Sequence, residues 1–107
     1  MKFLCLGYGS EEDWNALSKG EQDKLLAQDE VLRGQGAIVA PLQEATTVRA
    51  PKGQVITQDG PFVESSLPLA GFALIDARDL NEAIALVSKT PCANAGGAVE
   101  VWPVLNT

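Results

Sequence analysis

Two segments of this chain, KFLCLGY at residues 2–8 and LAGFALID at residues 69–76, are apolar at nearly every position. A strand sends alternate side chains to opposite faces, so Phe3, Cys5 and Gly7 point one way and Leu4, Leu6 and Tyr8 the other. Strands apolar on both faces belong in the middle of a sheet that is covered on both sides. Leaving one face in water would expose a larger apolar patch than monomers usually carry. A chain of 107 residues has room for one core of ordinary domain size, so residues 1–107 read as a single domain. Its own helices can cover one face of the sheet. The other face calls for a second copy, and a face-to-face homodimer follows, two-fold dimers being the commonest oligomers.

The remaining elements are written in start and stop signals. Ser10 followed by Glu11, Glu12 and Asp13 opens a short helix, with acidic groups at its positive end, which Trp14 and Leu17 would pin to the body. Ser18 with Glu21 three residues on is a capping box, and a helix over residues 19–33 follows, closed by Gly34 or Gly36. Helical spacing puts Gln22, Leu25, Leu26, Asp29, Leu32 and Arg33 on one face, with Asp29 in the middle of an otherwise apolar stripe. That carboxylate either serves a pocket with a raised pKa or reaches the helix rim and pairs with Arg33 at i+4.

Residues 37–40 and 45–49 read as extended, with Pro41 as a break. Ala50-Pro51-Lys52-Gly53 is a turn, residues 54–58 return as the second arm of a hairpin, and a surface loop runs from Asp59 to Pro68. Asp79 with Glu82 caps a second helix whose Leu80, Ala83, Ile84 and Val87 form a buried stripe stopping before Pro91. Residues 98–105 make the last strand, and Pro103 assigns it to an edge or a bulge. The order is that of an α+β fold, a ferredoxin-like pair of split βαβ halves with an added β-hairpin.

Composition removes several function classes. The net charge is −6 and the eight basic residues are scattered singly, against the clustered positive field that nucleic acid requires. No apolar run approaches the roughly 20 residues of a membrane span. Lys2 leads straight into a strand without a secretory leader, so a cytoplasmic protein is expected. The two cysteines, Cys5 and Cys92, form no CxxC pattern, and Cys5 among Phe3, Leu4 and Leu6 reads as a small buried hydrophobe. There is no GxGxxG, no phosphate loop and no cluster of ligands at metal spacing, so no cofactor and no metal is implied. The chain has no histidine, which leaves carboxylates, Tyr8, lysines and cysteines for acid or base work.

The segment Asp59-Gly60-Pro61-Phe62-Val63-Glu64, followed by Ala70-Gly71-Phe72-Ala73-Leu74-Ile75 and then Ala77-Arg78-Asp79-Leu80-Asn81-Glu82-Ala83, resembles the DGPF branch of the YCII-related proteins. Met1 to Tyr8, Ala45-Thr46-Thr47-Val48-Arg49, and Val99-Glu100-Val101 with Pro103 extend the resemblance over nearly the whole chain. It implies a dimeric α+β barrel built from two ferredoxin-like sheets. It also implies a small-molecule cleft, since some relatives in the wider superfamily act on small ring compounds or lactones. Two departures stand out. Ser65-Ser66-Leu67-Pro68 replaces the family's Thr-Lys-Glu run, and Leu25 stands where catalytic relatives carry a His on the first long helix.

With those implications, Glu64 is the candidate general base, placed by the rigid Gly60-Pro61 turn with Phe62 burying beside the sheet. Asp59, Gly60, Pro61 and Phe62 either border a ligand or only shape a turn or a dimer contact. Arg49 either clamps an anionic ligand or pairs with Glu64 or Asp59. Asp76 either caps the turn into the second helix or faces the cleft; Asp29 and Tyr8 complete the candidate ligand contacts. Ser65 has no His to activate it as a nucleophile. Two functions fit: a non-catalytic small-molecule-binding or regulatory dimeric module, and an isomerase or lyase acting on a polar ring compound or lactone through Glu64.

Overall fold

The computed structural model describes residues 1–105. In chain order the elements are β1 (Lys2–Tyr8), α1 (Glu11–Asn15), α2 (Lys19–Gly34), β2 (Ile38–Pro41), β3 (Thr46–Arg49), β4 (Ile56–Asp59), β5 (Leu69–Asp76), α3 (Leu80–Val87), α4 (Pro91–Asn94) and β6 (Ala98–Pro103). Four strands form an antiparallel sheet in the order β2-β5-β1-β6, so the two strands apolar on both faces are its central pair. Pro103 lies at the end of an edge strand, where a missing N–H does least harm.

One face of the sheet is sealed by helices. Phe3, Cys5, Ala73 and Ile75 from the strands meet Ala83 and Val87 of α3, with Val99 and Val101 packed alongside. Leu80 and Ile84, expected in the same buried stripe, are exposed, because this short helix turns only the edge carrying Ala83 and Val87 to the sheet. Leu32 is the buried residue of α2. The three N-caps are those written in the sequence: Ser10 accepts from the Asp13 N–H, Ser18 and Glu21 close a full capping box, and Asp79 accepts from the Glu82 N–H. The reciprocal half of the box expected at Asp79 does not form, because the Glu82 carboxylate accepts from the Arg78 N–H and guanidinium instead. Pro91 does more than end α3; it occupies the first turn of α4, where its fixed φ suits a helix start. No helix among the described residues is long and apolar enough to cross a membrane.

Among the described residues the opposite face has no second layer. Strand register aligns Ile38, Leu74, Leu4 and Trp102 in one row across all four strands, and Ile38 and Trp102 are 57% and 55% exposed.

The hairpin stands apart from this sheet. β3 and β4 pair only with each other, from Thr46 opposite Asp59 to Arg49 opposite Ile56. Their connection is a 3-10 turn at Pro51–Gly53 in which Lys52 and Gly53 both take left-handed φ, 53° and 80°. At the other end the Gly60 N–H donates to the Ala45 carbonyl, while the Thr47 hydroxyl donates to the Gly60 carbonyl. Phe62, expected beside the sheet, is 72% exposed. A two-stranded arm outside the main sheet gives the loop beyond Gly60 no apolar face of its own chain to bury against.

A candidate ligand-binding cavity between the long helix and the sheet

A cavity of about 440 Å³ opens between α2, α4 and the covered face of the sheet. Its floor is made of small residues. Cys5 lies opposite Ala73 and Gly7 opposite Gly71 in the β1–β5 register, and all four line the space. Both glycines sit at close approaches, to a side chain at position 7 and to backbone at position 71. A Cβ at position 7 would come within 2.8 Å of the Cys92 Sγ, and one at position 71 within 2.9 Å of the Ala40 carbonyl oxygen. Leu26, Asp29 and Arg33, three to four residues apart on α2, form one wall; Thr90, Pro91 and Cys92 form another, and Trp14 of α1 adds an indole.

Most of the lining is apolar, so its few polar groups decide what the cavity can hold. The Arg33 guanidinium donates through Nε and Nη2 to the Val39 carbonyl, at 3.2 and 3.1 Å, and pairs with Glu30 through Nη1. The Thr90 hydroxyl donates to the Val87 carbonyl at 2.6 Å. Asp29 is half-buried and, among the described residues, has neither a hydrogen-bond nor an ion-pair partner. The i+4 pairing with Arg33 that the helix spacing allowed does not form, because Arg33 is turned to Val39 and Glu30. Burial raises the Asp29 pKa, and neighbouring Glu30 adds to this while Arg33 opposes it. The Cys92 thiol is pushed up by burial and by the Asp29 charge, and Cys5 is pushed up by burial to about 11. Both sulfurs are therefore thiols at neutral pH.

Asp29 is alone among the sequence candidates in lining this cavity. Glu64, Asp59, Pro61 and Phe62 are exposed on β4 and the following loop, and Arg49 is exposed on β3. Arg49 makes no ion pair among the described residues, with Glu64, Asp59 or any other carboxylate. Gly60 closes the arm with φ 94°. Asp76 neither caps a helix nor faces the cavity: it is exposed and accepts from the Nζ of Lys2, its cross-strand neighbour, at 2.7 Å, which lowers its pKa. The cap belongs to Asp79. Tyr8 projects on the uncovered face and donates to Glu100 Oε1 at 2.9 Å, a bond that raises the phenol pKa.

Trp14, Thr90 and Cys92 had no signal in the sequence marking them as cavity residues. Leu25 faces a second hollow of about 710 Å³ on the other flank of α2, shared with Glu21, Lys24 and Lys89. Among the described residues no three His, Cys, Asp or Glu side chains are grouped as a metal would need.

A model of the YCII-related domain matches residues 1–107. An uncharacterized protein of Rhizobium meliloti is 32% identical over 114 residues, covering 97% of this chain and 92% of that one. In three dimensions the chain is similar to 5-chloro-2-hydroxyhydroquinone dehydrochlorinase of Burkholderia phenoliruptrix, solved in complex with 2,5-dihydroxybenzoquinone. The TM-score is 0.56 at 19% identity, over 97% of this chain and 93% of that one. At such low identity the likeness speaks for the fold alone.

Proposed function

The chain belongs to the YCII-related family, and from that premise we propose that it is a homodimeric small-molecule-binding protein whose ligand occupies the cavity beneath α2. The observation that carries this reading is the half-buried, unpartnered carboxylate of Asp29 in a largely apolar cavity of about 440 Å³. Concave, mostly apolar space with one or two convergent polar groups is the usual form of a small-molecule site. An unpaired carboxylate held partly out of water is a cost to the fold that a ligand can relieve.

The dimer has separate support. The strand order β2-β5-β1-β6 fits two split βαβ halves, and the row Ile38, Leu74, Leu4 and Trp102 gives the uncovered face an apolar surface suited to a second sheet. Packing two such faces together produces a dimeric α+β barrel. An enzyme reading through Glu64 gains no comparable support, because Glu64 is exposed and lies outside the cavity.

A thermal-shift panel of phenols, aromatic acids, lactones and aromatic amines tests the binding reading. A ligand at about 100 times its Kd adds roughly 2.7 kcal/mol to stability. Saturable stabilisation by at least one class is expected in the wild type and not in Leu26→Trp, which fills the rim of the cavity from a position already 48% exposed. Stabilisation by no class, or equal stabilisation of Leu26→Trp, would overturn the reading.

A further inference from the structure

We infer that the cavity selects a small hydrophobic amine, bound as an ammonium ion with Asp29 as its counter-charge; the inference rests on the binding reading above and narrows it to one ligand class. The argument is one of charge balance inside the cavity. Two ionisable side chains of opposite sign border it, Asp29 and Arg33. The Arg33 guanidinium spends three of its five N–H donors on the Val39 carbonyl and on Glu30, and Glu30 is its ion-pair partner. Asp29 has no such partner. The site therefore offers a carboxylate with no direct hydrogen-bond or ion-pair partner among the described residues, its charge offset only through space by Arg33, against largely apolar walls.

Each ligand class meets that charge differently. An anion would add a second negative charge beside Asp29, and the one cation lining the cavity, Arg33, is already paired with Glu30. A neutral alcohol could donate one hydrogen bond but would leave the carboxylate partly desolvated and without a counter-charge. An ammonium supplies the opposite charge and up to three donors at once, and charge-assisted hydrogen bonds of this kind are about twice as strong as neutral ones. Trp14 lines the same space and is the side-chain type whose ring face best attracts cations. The chain's net charge of −6 also favours approach of a cation.

The titratable groups around Asp29 are few. Glu30 and Arg33 lie on its own helix, Cys92 on α4 and Cys5 on β1, while β2 and β5 contribute only uncharged lining residues. Both cysteines titrate above neutrality. Below neutral pH, then, binding of an amine follows the ionisation of Asp29: affinity is highest where the carboxylate is charged and falls about tenfold per pH unit once the pH drops below its raised pKa.

Isothermal titration with 2-phenylethylamine, 2-phenylethanol and 3-phenylpropanoate, which share a ring and differ in charge, tests the inference. The amine is expected to bind at least about tenfold more tightly than the alcohol, and the carboxylate not to bind. Asp29→Asn should lose the amine preference while Asp29→Glu retains most of it, and the wild-type pH profile gives the same information without any variant. Equal or tighter binding of the alcohol or the acid, an amine affinity independent of pH, or an amine preference unchanged in Asp29→Asn would each overturn the amine assignment and leave the binding reading standing. No binding of the amine overturns it too, and the thermal-shift panel then decides separately whether the cavity binds anything.

Discussion

Glycine at positions 7 and 97 is dictated by what stands above each Cα. At position 97 an added Cβ would lie 1.9 Å from the Tyr8 carbonyl oxygen, which is backbone and cannot turn aside; at position 7 it would meet the Cys92 sulfur at 2.8 Å, which can. Gly97→Ala is therefore expected to cost more than the roughly 1–3 kcal/mol typical of overpacking, and Gly7→Ala to fall within that range and be partly rescued by Cys92→Ala, as read from urea unfolding. Asp29 carries a prediction of the opposite sign. Burial raises its folded pKa above the unfolded value, so its contribution to stability is greatest below the unfolded pKa of about 3.9 and is lost as the pH rises through the folded pKa. Asp29→Asn should melt a few degrees above the wild type at pH 7, with the difference closing toward about pH 3. Asp29 was visible in the sequence because a charge interrupts an apolar stripe. Cys92 and Thr90 were not, because nothing local says that α4 and the residue before it will fold back over the first strand of the chain.

At the level of elements, what is encoded locally was legible. Helix caps depend on residues three apart, and α2 and α3 start where Ser18 and Asp79 place them, whereas periodicity alone did not separate the buried Ala83 and Val87 of α3 from the exposed Leu80 and Ile84. Ser18→Ala is expected to cost about 1 kcal/mol by denaturant melts, because it removes the acceptor for the Glu21 N–H and half of a reciprocal cap. The hairpin shows where local information stops. Its two strands were readable from the turn at residues 50–53, but whether a hairpin joins the main sheet depends on a distant partner edge. The residues carried over from the family resemblance sit largely on this arm and its loop, which explains why Glu64, Arg49 and Phe62 lie away from the cavity that Asp29 lines.

For the whole molecule, the two central strands remain the governing fact. Their apolar residues on both faces demanded two covers, and one chain supplies one: helices seal Phe3, Cys5 and Ile75, while Leu4, Leu74 and Trp102 face outward. Leu4→Glu should convert a dimer into monomers in sedimentation velocity while leaving the helix-covered core folded, since Leu4 belongs to the uncovered face. The arm and the uncovered face together expose Val48, Val55, Ile56 and Phe62 as well as Ile38, far more apolar surface than scattered single residues would give. Dimerisation and ligand binding can be read together by native mass spectrometry of the wild-type protein titrated with 2-phenylethylamine. The expected spectrum is a dimer carrying up to two ligands, one for each Asp29, and a dimer clearly less occupied at the same amine concentration for Asp29→Asn; a monomer, or a wild-type dimer that stays empty at saturating amine, would contradict a dimeric protein with an Asp29-anchored site in each chain.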